Sequence, residues 1–206
     1  MVLANPPEQL INLLHRCGVG QRTECGYPGE GDGALVRAAD ASPFVLATLG
    51  FGYGMSVSAL QLAKSYLIFA NEGRILPISL LHYEEKKQNE SVQVISAKNA
   101  KQILNMMEQV VGKGGTGRKA RVEGYRVAGK KGTSRIAGKK GYEASRHIAT
   151  FVGIAPASNP RLIVAVVIHE PTRLSYYGGA VAAPLFAQVM ADALRVLDIQ
   201  QDKPLK

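Results

Sequence analysis

Residues 147–171, with the sequence HIATFVGIAPASNPRLIVAVVIHEP, decide the fold of this 206-residue chain. Two runs rich in apolar and β-branched residues, each of strand length, flank the turn sequence PASNP at residues 156–160. A five-residue link leaves no room for a helix, so the two strands are predicted to pair antiparallel. The run Leu162–Ile168 is almost wholly apolar, which predicts that its strand is covered on both faces.

A third strand is predicted just upstream, within GYRVAGKKGTSRIAGKKGYE at residues 124–143. In this stretch an apolar run with β character meets glycines, lysines and hydroxyl residues. Helices are predicted before it: Ser58 caps one that ends at Gly73, and Ser96 caps another that is stopped by Gly112. A shorter helix is predicted at residues 7–16.

The last helix is predicted to open at Pro184. Its predicted apolar stripe consists of Leu185, Val189, Ala193 and Leu197. The predicted fold class is α/β in the broad sense, and more narrowly α+β: an antiparallel sheet flanked by helices. Residues 1–199 are predicted to form the domain and residues 200–206 a polar tail.

The net charge of +9 belongs to one segment of the chain. Residues 113–146 contain 11 Lys and Arg against two Glu, whereas the remainder balances at 14 against 14. Such segregation indicates a local anionic partner. A solvated basic loop is the alternative.

Several classes of protein are disfavoured. The N-terminus lacks the basic region of a signal peptide. We also expect no apolar stretch to be nearly as long as the ~20 residues that a membrane-spanning helix needs. The stretch from Gly124 to Lys131 fits a phosphate loop only until Lys131, and no helix start follows it. His15 with Cys17 and His169 with Glu170 are isolated pairs without ligand spacing, so no metal or cofactor is expected.

Two functions remain open on the residues alone. The basic stretch GKGGTGRKAR at residues 112–121 could follow a nucleic-acid backbone, although few aromatic residues accompany it and a nucleic-acid partner is not favoured. Alternatively, a glycine-flanked Lys-x-Gly-Thr on a strand suits acyl transfer. There the ammonium supplies positive charge, and the bare backbone receives a peptide and donates an N–H to an oxyanion.

The stretches GYRVAGKKGTSR, HIATFVGIAPASNPRLIVAVVIHEP and YYGGAVAAPLFAQVM together resemble the C-terminal part of class B penicillin-binding proteins. The upstream stretch TLGFGYGMSVSALQLAKSYLIFANEG resembles the same family, and the resemblance runs from about Asn5 to Ile199. It implies that residues 1–199 are the C-terminal part of a transpeptidase domain with an incomplete penicillin-binding or serine β-lactamase-like fold. The implied ligands are peptidoglycan stem peptides and β-lactams.

The resemblance also implies roles for single residues. Lys130, Lys131 and Gly132 take the place of the family's Lys-Thr/Ser-Gly motif. Lys130 would keep the cleft positive, and Thr133 would give its N–H to the oxyanion hole and its hydroxyl to the substrate carboxylate. A second stretch, expected to border the cleft, consists of Tyr177, Gly178 and Gly179.

Two departures from the family pattern bear on activity. Lys131 stands where the family has a small hydroxyl residue, which predicts weaker or altered β-lactam recognition. No serine in the 206 residues is followed by lysine three positions later, and no Ser-x-Asn occurs. The chain is therefore expected to be inactive alone, with three strands where the family has five.

A separate upstream polypeptide or divisome proteins are the expected partners. Alternatively, the chain is a non-catalytic interaction piece. The family is anchored in the inner membrane with a periplasmic catalytic domain, but this sequence shows no export signal of its own.

Overall fold

The computed structural model describes residues 2–81, 90–138, 141–172 and 175–203, so Lys139 and Lys140 lie outside the described residues. The helices are α1 (Pro7–Arg16), α2 (Pro43–Leu49), α3 (Ala59–Ser65), α4 (Leu67–Ala70), α5 (Ala97–Val111) and α6 (Gly178–Val196). The strands are β1 (Ala34–Leu35), β2 (Met55–Ser56), β3 (Arg74–Ile75), β4 (Val92–Gln93), β5 (Ala128–Gly138), β6 (Gly141–Ala155) and β7 (Leu162–His169).

The three predicted strands form one antiparallel sheet in the order β5-β6-β7. Lys131 lies opposite Phe151, which lies opposite Val166, so these three side chains share one face. The two-residue strands pair separately, β1 with β2 and β3 with β4. The predicted antiparallel pairing is confirmed.

Serine caps begin α3 and α5 as the sequence predicts. The Ser58 hydroxyl accepts a hydrogen bond from the backbone N–H of Gln61, and the Gln61 side chain accepts one from the backbone N–H of Ser58. The Ser96 hydroxyl accepts from the N–H of Asn99. The segment after α4 turns at Gly73, whose φ of +86° favours glycine.

Helices cover both faces of the sheet. On one face Phe151 and Val166 pack with Phe186 and Met190 of α6. On the other face Ile154 belongs to a second cluster, which contains Leu104 and Met107 of α5 together with Ala128 and Ala157. The predicted antiparallel sheet flanked by helices is therefore confirmed.

Two details of α6 differ from the sequence prediction. The helix begins at Gly178, and Pro184 lies within it. Its buried face contains Phe186, Met190 and Leu194, whereas Leu185 is 43% exposed and Val189 is 44% exposed. The predicted stripe was wrong because almost every residue here is small or apolar, so two neighbouring stripes fit the helical period equally well.

The predicted cover of β7 on both faces is confirmed but partial, since Val164 and Val166 pack in the cluster with α6 and Ile163 packs in the cluster on the other face. Val166 is its one buried residue, and the others are half-buried or exposed. In the described part of the chain β7 pairs with β6 alone, so β7 is one of the two outer strands of the sheet. Its second edge and part of its apolar surface are consequently open to another polypeptide.

Within the described ranges, α6 is the one helix long and apolar enough to cross a membrane by length and composition. The expectation that no apolar stretch approaches that length is thus wrong for this helix. Six of its residues are buried, with Phe186, Met190 and Leu194 packed into the core beside the sheet. A core helix of a domain has the same properties.

Candidate active site

The middle of β5 holds the four residues of the predicted motif, Lys130 to Thr133, in consecutive positions. Side chains alternate along a strand, so Lys131 and Thr133 face α6 while Lys130 faces the opposite side. Lys130 is exposed and the other three are half-buried. A ligand can therefore reach all four residues.

One edge of β5 remains open. β6 occupies the other edge, and within the described residues no strand pairs with the open one. The backbone N–H of Arg135 donates to the hydroxyl of Tyr53 over 3.1 Å, which shows that this N–H points away from β6. Because backbone directions repeat every second residue, the N–H groups of Thr133 and Lys131 point to the same open edge.

The carbonyl group of Lys131 points to the same open edge of β5. It accepts a hydrogen bond from Lys130 Nζ over 3.0 Å. A cavity of about 630 Å³ opens just past the motif on β5, between the loop around Tyr53 and the sheet residues Ser134 and Thr150. The strand thus offers backbone donors and acceptors next to a space large enough for a small ligand.

The first turn of α6 docks against the motif. The N–H of Gly178 donates to Thr133 Oγ1 over 3.1 Å. A Cβ atom at Gly178 would collide with the carbonyl oxygens of Gly132 and Thr150. Glycine is therefore required for this close approach of helix and sheet.

Gly179 makes a similar contact with Lys131. A Cβ atom at Gly179 would lie 3.2 Å from Lys131 Cδ and would collide with the carbonyl oxygen of Thr116. Lys131 Nζ lies 5.7 Å from the centre of the Tyr177 ring, within the range of a cation–π contact. The stem of Lys131 thus passes Gly179, and its charge rests over Tyr177.

Aromatic rings continue from Tyr177 along the same surface. Tyr176 stacks on His147 with ring centres 4.1 Å apart, and its hydroxyl lies 3.2 Å from that of Tyr177. The hydrogen bond with Tyr177 raises the pKa of Tyr176 above its ordinary value of 10.0. Both tyrosines are exposed, so the rings form an accessible surface beside the motif.

The motif carries uncompensated positive charge. Among the described residues neither Lys130 nor Lys131 has a carboxylate within 4.0 Å, whereas Arg146 of the neighbouring strand β6 is paired with Glu143 and Glu170. This distribution suits an anionic ligand at β5.

The structure brings all seven predicted site residues into one region: Lys130, Lys131, Gly132 and Thr133 on β5, and Tyr177, Gly178 and Gly179 at the start of α6. Sequence reasoning missed Tyr53, His147 and Tyr176. Tyr176 adjoins a predicted residue, but nothing local to Tyr53 or His147 marks them, because their positions depend on contacts made far along the chain.

The fold and the motif define a penicillin-binding transpeptidase domain. The family description "Penicillin binding protein transpeptidase domain" matches residues 3–191. The chain belongs to this family.

Two curated relatives illustrate the likeness. The chain is 40% identical over 199 residues to a probable peptidoglycan D,D-transpeptidase, PenA, of Neisseria flavescens, covering 97% of this chain and 49% of that protein. It is 37% identical over 202 residues to the peptidoglycan D,D-transpeptidase FtsI of Escherichia coli K12, covering 98% of this chain and 34% of that one. The chain therefore spans half or less of the length of these relatives.

Solved structures agree in fold. The transpeptidase domain of Burkholderia pseudomallei penicillin-binding protein 3 superposes with a TM-score of 0.90 at 35% identity, covering 98% of this chain and 61% of that one. Penicillin-binding protein 3 of Mycobacterium tuberculosis, in complex with aztreonam, gives a TM-score of 0.83 at 29% identity, with coverage of 94% and 47%.

Proposed function

We propose that this chain is the C-terminal, substrate-binding part of a peptidoglycan D,D-transpeptidase that acts in septal cell-wall synthesis. The open edge of β5 is the observation that carries the proposal, because it presents the Lys130–Thr133 motif and directs the Thr133 N–H outward. The family match and the names of the curated relatives support the reaction class.

The substrate is a stem peptide ending in D-Ala-D-Ala, which pairs with the open edge of β5. Thr133 donates its backbone N–H to the oxygen of the penultimate D-Ala carbonyl as that carbon becomes tetrahedral. Lys130 keeps the peptide-binding groove, which runs along the open edge of β5, positively charged. Lys131 and the Thr133 hydroxyl lie where the terminal carboxylate is held.

The covalent step needs a serine. Its oxygen bonds to the penultimate carbonyl carbon, the terminal D-Ala leaves as a protonated amine, and an amine of a neighbouring strand then displaces the serine. β-Lactams react with the same serine. Since the 206 residues contain no Ser-x-x-Lys, we assign the nucleophile to a polypeptide segment outside them.

A second candidate is a non-catalytic role in which the chain only docks on another polypeptide, such as a divisome protein. The open edge of β7 and the exposed Leu185 and Val189 of α6 favour this role. The coding sequence upstream separates the two candidates. A frame with Ser-x-x-Lys and Ser-x-Asn supports the transpeptidase, and a genome without one favours simple docking.

Labelling with a fluorescent penicillin tests the proposal directly. The chain is incubated alone and together with the upstream half of a related transpeptidase that supplies Ser-x-x-Lys. We expect covalent label on the serine-bearing half in the mixture and none on this chain. Label on this chain itself, or no gain of labelling over the upstream half alone, contradicts the proposal.

A further inference from the structure

Tyr53 occupies a position on the open edge of β5. Its hydroxyl accepts the N–H of Arg135 over 3.1 Å, although the two residues are 82 positions apart in the chain. The ring packs edge-on against Tyr142 with centres 4.7 Å apart and against Phe51 at 5.6 Å. Tyr53 is thus held at the sheet by two contacts, the hydrogen bond from Arg135 on β5 and the ring of Tyr142 on β6.

The backbone around Tyr53 is shaped for this placement. Gly52 and Gly54 have φ values of +94° and +76°, in the region that favours glycine. Gly54 also donates its N–H to the Tyr142 hydroxyl over 3.4 Å. The loop therefore places the Tyr53 hydroxyl at the strand edge. There it replaces water as the acceptor for the Arg135 N–H.

The direction of a bound peptide follows from the proposed function, on which this inference rests. The terminal carboxylate lies near Lys131 and the reacting carbonyl at the Thr133 N–H, so the rest of the peptide runs toward Arg135. The next outward backbone donor in that direction is the Arg135 N–H, about 7 Å beyond Thr133. An added strand would need this donor to lengthen its pairing.

We infer that Tyr53 ends the peptide-binding edge of β5 and thereby restricts strand pairing to the last residues of the ligand. Its hydroxyl takes the donor that a longer peptide would use, and its ring occupies the adjoining space. Residues of the stem peptide before the acylated one gain no main-chain hydrogen bonds from β5. Tyr53 is in this sense a specificity-determining residue that sets ligand length.

A purely structural role makes a different prediction. If Tyr53 only anchors its loop, its removal weakens the fold but does not change how affinity depends on ligand length. Length dependence therefore separates the two roles. Exchange of the Arg135 amide hydrogen supplies a second readout that does not require a ligand.

The test uses the ¹⁵N-labelled 206-residue chain and N-acetylated alanine peptides that end in D-Ala-D-Ala and contain two to five residues. Dissociation constants are measured from amide shifts for the parent, Tyr53→Ala, Tyr53→Phe and Tyr142→Phe. Tyr142→Phe is the matched control, because it removes a neighbouring hydroxyl that does not touch the strand edge.

For the parent and Tyr142→Phe we expect affinity to stop rising once the peptide reaches Arg135. For Tyr53→Ala we expect a further gain of about three- to tenfold per added hydrogen bond. In Tyr53→Phe the Arg135 amide should exchange faster than in the parent, and affinity should again rise with peptide length because the donor is free; this length dependence decides the matter if Tyr53→Ala does not fold.

The outcomes also separate this inference from the proposed function. Affinity that rises with length equally in the parent and in Tyr53→Ala overturns the role of Tyr53 and leaves the proposed function standing. Unchanged Arg135 exchange in Tyr53→Phe overturns it as well. If no peptide of any length binds any variant, the proposed function fails and the inference fails with it.

Discussion

The backbone N–H of Gly178 donates a hydrogen bond to Thr133 Oγ1 over 3.1 Å and so joins the first turn of α6 to the middle of β5. Gly178 is buried, so its N–H has little access to water as a substitute partner. The hydroxyl keeps its own proton free to donate to a ligand. Thr133 therefore fixes the helix to the strand and remains available in the groove.

Thr133→Val tests the structural half of this relationship. Valine has nearly the shape of threonine but cannot accept the Gly178 N–H, so we expect a loss of about 1–3 kcal/mol in the free energy of unfolding. Urea denaturation measures it. Thr133→Ser keeps the hydroxyl, so its free energy of unfolding should fall clearly less than that of Thr133→Val. Equal stability of the valine variant and the parent would show that the hydrogen bond contributes nothing.

The register of α6 gives a second prediction. Phe186 is fully buried, with its ring centre 4.8 Å from that of Phe151, whereas the adjacent Leu185 is 43% exposed. Phe186→Ala should cost about 3–5 kcal/mol, because it leaves a cavity in the core. Leu185→Ala should cost no more than about 1 kcal/mol.

Leu185→Ala is the matched control for Phe186→Ala. Both variants shorten an apolar side chain of the same helix to alanine, so helix propensity contributes little to the difference between them. Thermal unfolding of both variants at one pH is sufficient. The reverse order of stabilities would restore the stripe through Leu185 and Val189 and would contradict the structure.

The sheet and the helix caps could be predicted from sequence because their signals are local. The turn at residues 156–160 leaves its flanking strands only one way to pair, and Ser58 and Ser96 satisfy N–H groups three residues away. The first residue of α6 could not be predicted from such local signals. Its first turn depends on Thr133, 45 residues earlier, and the nearby Pro184 gives a stronger but misleading local signal.

The candidate site likewise contains some residues that could be predicted from sequence and others that could not. Lys130 to Thr133 could be recognised because a glycine-flanked motif on a strand is a local pattern and resembles a known family. The contacts of Tyr53 with Arg135 and of Tyr176 with His147 join distant segments, so no spacing in the sequence predicts them. The geometry at the edge of the groove therefore came only from the structure.

Acid should weaken one ion pair in a defined direction. Arg146 Nε donates to Glu170 Oε1 over 2.9 Å, and this hydrogen bond holds the pKa of Glu170 below its ordinary value of 4.5. A carboxylate with a lowered pKa in the folded state stabilises the fold above pH 4.5. That contribution is lost as the pH falls from 4.5 through the folded-state pKa.

Glu170→Gln should therefore lower the melting temperature slightly at pH 7, and the difference from the parent should disappear below the folded-state pKa. Because both side chains are exposed, added salt should shrink the difference as well. Glu123→Gln is the control, since Glu123 is exposed and has no ion pair within the described part of the chain. A Glu170→Gln difference that does not change with pH would contradict the assignment.

Lys131 should limit the reaction with β-lactams. Its stem passes Gly179 and its ammonium rests over Tyr177, so a ligand carboxylate must either draw it from the ring or fit around it. Leaving the ring costs about 0.5–1 kcal/mol. In the protein completed by a serine-bearing half, Lys131→Thr should thus raise the rate of acylation by penicillin about tenfold, since a short hydroxyl donates to the carboxylate without filling the groove.

Lys131→Met separates bulk from charge, because methionine keeps much of the length and loses the ammonium. If bulk dominates, the methionine variant should acylate as slowly as the parent; if the ammonium helps to hold the carboxylate, it should be slower still. Stopped-flow acylation of the three proteins at two salt concentrations distinguishes these cases, since only a charge effect weakens with salt. Equal rates for Lys131→Thr and the parent would show that position 131 does not meet the ligand, and the carboxylate would then have to be placed elsewhere along β5.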